Sequence, residues 1–210
     1  MKTLVLASRN AGKLAELETL LAPHAFEVRS QAEFDVPSPE ETGLTFVENA
    51  LIKARAVAEA TGYASLGDDS GLVVPLLNGA PGIYSARYAG SHGDDAANNA
   101  KLVSTLQALG GPTESHDGHT VLAPAYFFCA MAYLSHAADP TPVIATAAWH
   151  GHVVATPCGD AGFGYDPHFL TRHDGHALTA AELAAGVKNQ VSHRGQALAQ
   201  LLEQLVGGTD

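Results

Sequence analysis

Thr3-Leu4-Val5-Leu6-Ala7-Ser8-Arg9-Asn10-Ala11-Gly12-Lys13-Leu14 decides how the chain begins. Residues 3–7 form a short apolar run, the mark of a buried strand, and the polar turn 8–13 follows at once. Leu14, Leu17, Leu20 and Leu21 then recur at helical spacing until Pro23. Strand, loop and helix in that order open an α/β protein. Downstream, 34–42 is rich in Pro and acid and reads as a loop carrying Glu40 and Glu41. Thr45 with Glu48 predicts a capping box for a second helix, whose apolar face runs Phe46, Ala50, Ala54, Val57, Ala58 and ends near Gly62.

Ala64-Ser65-Leu66 and Leu72-Val73-Val74 read as strand segments, separated by a polar turn, Gly67-Asp68-Asp69-Ser70-Gly71. The spacing predicts a third helix over 95–109, stopped by Gly110-Gly111-Pro112. The apolar or alternating runs 126–134 and 143–154 predict an antiparallel pair of strands. A glycine-rich loop, Gly159-Asp160-Ala161-Gly162-Phe163-Gly164-Tyr165-Asp166-Pro167, comes next. Thr179 with Glu182 predicts the cap of a short helix, and Ser192 precedes a last amphipathic helix carrying Ala197, Leu198, Leu201, Leu202 and Leu205. Crossovers mixed with hairpins predict α/β with a mixed sheet and flanking helices, not a doubly wound parallel one. Neither an internal repeat nor a low-complexity linker divides the chain, so 1–210 is expected to be one domain.

Composition narrows the class. With 46% hydrophobic and 16% charged residues, the 210-residue chain has the makings of a substantial core and is not disordered. Chains of this size bury about 70% of their unfolded surface, so disulfides are unnecessary. The cysteines, Cys129 and Cys158, form no CxxC pair. Cys129 lies in the apolar run Tyr126-Phe127-Phe128-Cys129-Ala130-Met131 and reads as a packed thiol. The N-terminal apolar run is too short for a signal peptide, and no run approaches a membrane span, so a reduced, cytoplasmic protein is expected. Eleven Lys and Arg against 22 Asp and Glu give a net charge of −11, which argues against nucleic-acid binding. A small polyanion can still bind an acidic protein where carboxylates recruit a divalent cation and a few cations or backbone N–H groups converge.

Four segments could make that arrangement. A helix start with Ser8, Asn10 and Lys13 suits a phosphate, although an Asn-capped helix with a solvated lysine fits the local sequence better. Leu14 stands where a Walker A loop needs Ser or Thr. Asp68 and Asp69 beside Ser70 could hold Mg²⁺ and orient a water, or simply form an Asp/Gly turn. In the glycine loop, Phe163 and Tyr165 offer flat faces to a base, or serve as core aromatics. Lys188 with His193 and Arg194 puts positive charge near a helix N-terminus, where the macrodipole disfavours it, a conflict that hints at a bound anion or polar ligand. The eleven histidines include close pairs such as His116/His119, His150/His152 and His173/His176, but without cysteine or HExxH context zinc is not expected.

Taken together, the segments resemble the inosine triphosphate pyrophosphatase family in its bacterial dITP/XTP branch, over nearly the whole chain. The resemblance rests on Ser8 to Lys13, on Glu40-Glu41-Thr42-Gly43-Leu44-Thr45-Phe46-Val47-Glu48-Asn49-Ala50, and on Asp68-Asp69-Ser70-Gly71-Leu72. It continues through Gly79-Ala80-Pro81-Gly82-Ile83-Tyr84-Ser85-Ala86-Arg87-Tyr88, Gly162-Phe163-Gly164-Tyr165-Asp166-Pro167 and Ser192-His193-Arg194-Gly195. It implies a long mixed sheet in two lobes around a central cleft, usually a homodimer. It also implies Mg²⁺-dependent hydrolysis of ITP, dITP and XTP to the monophosphate and pyrophosphate. By the same resemblance Ser8, Arg9, Asn10, Ala11, Gly12, Lys13 and Ser70 contact substrate, with Lys13 on the phosphates. Asp69 matches the proton acceptor and a metal ligand, and Glu40 the other metal carboxylate. Phe163, Gly164, Tyr165, Asp166, Lys188, His193 and Arg194 match substrate- and base-recognising positions. Two departures stand out: Gly67 where alanine is common, and Arg9 where glycine is frequent. The segment before the His-Arg pair also lacks the usual Glu-Lys run around Lys188.

Overall fold

The computed structural model describes residues 2–24, 26–110 and 114–207. The expected helix stop at Gly111-Pro112 lies outside the described residues, as does Met1. Among the described residues, eight strands and five α-helices follow one another as β1 (Lys2–Leu6), α1 (Ala11–Leu21), β2 (Phe26–Ser30), α2 (Phe46–Thr61), β3 (Ala64–Val73), α3 (Asp95–Ala108), β4 (Glu114–His116), β5 (His119–Leu134), β6 (Val143–Val154), β7 (Phe169–His173), β8 (His176–Thr179), α4 (Ala185–Val191) and α5 (His193–Gly207). The strands form one sheet in the order β2-β1-β3-β5-β6-β7-β8, with β4 on β5. β1 pairs parallel with β2 and β3, whereas β4–β5, β6–β7 and β7–β8 are antiparallel. The sheet is mixed, as the alternation of crossovers and hairpins predicts.

The helix starts obey their local signals. Asn10 Oδ1 accepts from Lys13 N at the head of α1. Thr45 and Glu48 close the reciprocal box on α2, and Gly62 ends it in the left-handed region, with φ 71°. Thr179 and Glu182 behave otherwise. Glu182 does accept from Thr179 N and Oγ1, but the bonds close a turn, and α4 starts only at Ala185. β7 and β8, not foreseen as strands, meet across Asp174-Gly175, and Asp174 has φ 49°. An Asp-Gly pair is a strong short-range hairpin signal.

The chain divides into two compact units. The first comprises 1–69, 129–147 and 193–210, and the second 70–128 and 148–192. In the first, Leu4 and Leu6 of β1, Leu17 and Leu21 of α1, Leu66, Met131, Leu198 and Leu201 make a fully buried core. Cys129 belongs to it as a packed thiol, which burial pushes up to about 12. In the second, Phe169 packs 4.6 Å from Phe127 and 5.1 Å from Trp149 between ring centroids, amid Leu72, Leu102, Leu106 and Val153. Each such side chain contributes ~1.5–3 kcal/mol when taken out of water.

The main correction concerns 64–74. What reads as two strand segments around a polar turn is a single strand, β3, running through Asp68 and Asp69. Successive strand residues face opposite ways. Ser65 Oγ donates to Ala54 O at 2.8 Å, so 65, 67 and 69 face α2. Leu66 packs with the leucines of α1 and α5, so 66 and 68 face the other way. Gly67 explains its departure from alanine here. A Cβ there would strike Ala50 O and lie 2.9 Å from Ala54 N, so α2 lies closer to β3 than an alanine permits. Gly67→Ala is expected to cost ~1–3 kcal/mol by overpacking. Urea unfolding checks this: an unchanged midpoint would mean that α2 backs away freely.

Candidate active site

Alternation on β3 sends two adjacent carboxylates to different partners. Asp68 faces α1 and α5. Lys13 Nζ lies 3.2 Å from both its oxygens, and Arg194 Nε lies 3.4 Å from Oδ2. Arg194 Nη1 also bonds Glu16 of α1. Burial alone would raise the Asp68 carboxyl, yet the charges of Lys13, Arg194 and Lys53 overcome it and hold the group far below the carboxylate range. Arg194 is 3% exposed and stays cationic, because Asp68 and Glu16 offset its own burial.

Asp69 faces α2. Lys53 Nζ donates to its Oδ1 at 2.7 Å, and Asn49 Nδ2 to its Oδ2 at 3.3 Å. Here the balance tips the other way: burial raises the Asp69 carboxyl, and Lys53 and Lys13 reverse that only in part. Lys53 stays protonated, since Asp69, Asp68 and Glu41 outweigh its burial. Its ammonium also reaches Glu41 Oε1 at 3.1 Å. Of the two acids in the Pro-rich loop, then, Glu41 shares a cation with Asp69, while Glu40 is exposed. The acid that shares Lys53 with Asp69 is thus the neighbour of Glu40 in the same loop.

Asn49 and Lys53 are the residues that sequence reasoning missed. Their signal was available: they stand four apart on α2, flanking the apolar stripe Phe46, Ala50, Ala54, and are 0% and 8% exposed. Polar side chains buried beside an apolar face need partners, and here the partner is a carboxylate. Asn49 Oδ1 also accepts from Gly43 N at 2.9 Å, tying the acidic loop to the same point.

The turn before α1 is ordered by its own polar groups. Ser8 Oγ accepts from Asn10 N at 3.2 Å, and Ala11 and Gly12 open the helix, where first-turn N–H groups lack helical carbonyls. Arg9 spends one nitrogen on the loop, Nη2 donating to Val36 O at 2.7 Å. His193, 5% exposed, stands next to Arg194 at the head of α5. The charge conflict seen at that helix start has an internal answer, since Glu16 and Asp68 supply the counter-charge.

In the second unit, Lys188 sits in the last turn of α4, where the macrodipole favours a cation. It is 7% exposed, donates to Asp166 Oδ2 at 2.7 Å and lies 5.1 Å over the Phe163 ring. Asp166 Oδ2 also accepts from Phe163 N at 2.9 Å. Lys188, Asp166 and Phe163 thus form one cluster, with Gly164 following. Tyr165 does not offer a stacking face: its ring is packed in the core and its hydroxyl donates to Ser85 O at 2.9 Å. A buried phenol needs an acceptor, and burial pushes its ionisation well up. Ser70 follows Asp69 on β3, half-buried, at the start of this unit.

Among the described residues no three His, Cys, Asp or Glu side chains converge as an all-protein metal cage. Asp69 and Glu41 instead converge on one ammonium. Such a carboxylate pair fits a small hard cation that keeps its waters and takes further ligands from substrate phosphates.

A family profile described as the Ham1 family matches residues 4–204. A dITP/XTP pyrophosphatase of Xylella fastidiosa (strain 9a5c) is 50% identical over 205 residues, covering 98% of each chain. Another, from Halorhodospira halophila (strain DSM 244 / SL1), is 52% identical over 200 residues, covering 95% of each. The structure of a HAM1 protein from Coxiella burnetii superposes with a TM-score of 0.86 at 44% identity, over 99% of this chain and 100% of that one. With the profile spanning almost every described residue and relatives matched end to end, the chain belongs to the Ham1 family.

Proposed function

We propose that this chain hydrolyses the noncanonical purine nucleoside triphosphates ITP, dITP and XTP to the nucleoside monophosphate and pyrophosphate, removing deaminated purines from the nucleotide pool. The observation that carries the reading is the divergence of neighbouring carboxylates on β3. Asp68 is locked as an anion between two cations, and Asp69 is buried with its proton affinity raised. Catalytic acids and bases are found where environments push such groups apart. Full-length similarity to proteins named dITP/XTP pyrophosphatase supports the substrate class.

In this mechanism Asp69 orients a water in line with the pyrophosphate leaving group and takes its proton as the water attacks the α-phosphorus. General-base help of this kind is typically worth ~10²–10⁴-fold. Lys53 and Asn49 each grip one Asp69 oxygen and so fix the carboxylate plane. The triphosphate is received by Lys13, by Ser8, Arg9 and Asn10, and by the Ala11 and Gly12 N–H groups at the positive end of α1. Asp69, with Glu41 or Glu40 of the Pro-rich loop, would hold Mg²⁺, which when bound would neutralise charge on the phosphates. Phe163 stacks the base, beside Asp166 and Lys188, and Ser70 lies next to the base catalyst on its strand. His193 and Arg194 donate to the purine oxo group, Arg194 being oriented for this by Glu16 and Asp68. A cytoplasmic homodimer completes the proposal by resemblance. No helix among the described residues is long and apolar enough to cross a membrane.

Lys13→Ala is expected to raise KM for the triphosphate about tenfold with a smaller effect on kcat, the excess shrinking as salt screens the wild-type contact. An unchanged KM at low salt would make Lys13 only a partner for Asp68. The proposal as a whole is tested by incubating the protein with Mg²⁺ and a nucleotide panel and assaying pyrophosphate. Release from ITP, dITP and XTP far above ATP and GTP is expected. Binding without release would make the chain a nucleotide sensor, and equal release from ATP an enzyme of ordinary triphosphates.

A further inference from the structure

We propose that Asp95 and Asn99, on the first turns of α3, are positioning residues that set the Phe163 ring against the purine base. Asp95 Oδ2 accepts from Gly164 N–H at 2.7 Å, and Asn99 Nδ2 donates to Gly164 O at 2.8 Å. Both polar backbone groups of the residue following Phe163 are therefore held by side chains one helical turn apart on the same face. Phe163's own N–H is held from another direction by Asp166 at 2.9 Å. The ring-bearing residue sits between these anchors, in a glycine-rich loop whose backbone has little intrinsic stiffness.

Asn99 shows that this clamp is demanded. Its Nδ2 also donates to Asp95 O at 2.9 Å, so a flipped amide would set its oxygen against two carbonyls. The amide orientation is thereby fixed, and Oδ1 is left buried without a hydrogen-bond partner among the described residues. A buried, unsatisfied acceptor is costly and uncommon. The asparagine bears that cost while its donors hold Gly164. The next residue along α3, counting back, serves the same end of the unit: Asn98 Oδ1 accepts from Ala89 N at 2.7 Å. The start of α3 is thus a polar bracket for loops of the second unit.

The inference rests on the proposed function in one respect, that Phe163 is the surface for the base. Three single variants, Asp95→Ala, Asn99→Ala and Phe163→Ala, are assayed with ITP and with a ribose triphosphate lacking a base, alongside Asp95→Asn, which keeps an acceptor for Gly164 N–H. Losing one clamp bond is expected to raise KM for ITP roughly 2- to 10-fold, with kcat nearly kept. Hydrolysis of the base-free triphosphate is expected to be unchanged, and Asp95→Asn to restore the wild-type KM. If Phe163→Ala raises KM for ITP while Asp95→Ala and Asn99→Ala do not, the clamp is overturned and base stacking stands. Equal losses on both substrates also overturn it, since that marks a general structural role. If Phe163→Ala itself leaves KM for ITP unchanged, the stacking assignment fails and takes the clamp with it.

Discussion

Asp69→Asn is expected to cut turnover at least ~10²-fold while leaving nucleotide binding largely intact. The amide keeps the size of the side chain and an acceptor for Lys53, which lies 2.7 Å from Oδ1. It can neither take the proton of the attacking water nor offer charge to a cation. The pH profile carries the same assignment. Asp69 works deprotonated, and burial raises its carboxyl above the ordinary 3.8, so wild-type kcat/KM should fall as pH drops through that raised value. The variant should lack this limb. Stability runs with the opposite sign at the two neighbours. The raised Asp69 stabilises the fold only while protonated, a contribution lost as pH rises through its folded value. The depressed Asp68 stabilises at neutral pH and is lost as acid reaches its folded value. A variant keeping more than a tenth of wild-type turnover at saturating Mg²⁺ would remove Asp69 from the base role.

Arg194→Ala is expected to do two things at once. Hypoxanthine and xanthine carry an oxo group where adenine carries an amino group, so an acceptor replaces a donor. Arg194 only donates, and His193 donates through either ring nitrogen. A site built to hydrogen-bond one group rejects its lacking analogue by up to ~10⁴-fold, so the ratio of kcat/KM for ITP over ATP should collapse. The same change strips Asp68 and Glu16 of their shared cation, and breaking a buried pair in this way costs ~3–5 kcal/mol. Arg194→Lys separates the effects. It keeps the charge but loses the planar fork that the carboxylates orient, so its Tm should stay near wild type while selectivity falls. Equal losses on ITP and ATP in the lysine variant would assign Arg194 to Asp68 and not to the base.

What the sequence made legible was whatever is decided within a few residues. Asn10, the Thr45–Glu48 box and Gly62 mark helix ends through bonds made inside one turn. β3 was hidden because its stability is not local. Read alone, Gly67-Asp68-Asp69-Ser70-Gly71 is turn chemistry. It stays extended because Lys13, 55 positions away, and Arg194, 126 away, pair Asp68 where a strand can bury it. Distance also hid the internal partner of Arg194: Glu16, 178 positions away, supplies counter-charge at that helix start. Asn49 and Lys53 were legible in principle, as polar residues flanking an apolar stripe. For Tyr165 the local sequence left a stacking face and a core ring both open, because ring burial depends on a core assembled from distant strands.

The most direct test is one turnover of ITP in heavy-oxygen water, with the products separated and weighed by mass spectrometry. Attack by an Asp69-activated water on the α-phosphorus puts the heavy oxygen in the nucleoside monophosphate and leaves the pyrophosphate unlabelled. Label in the pyrophosphate, or release of orthophosphate in its place, would contradict the account.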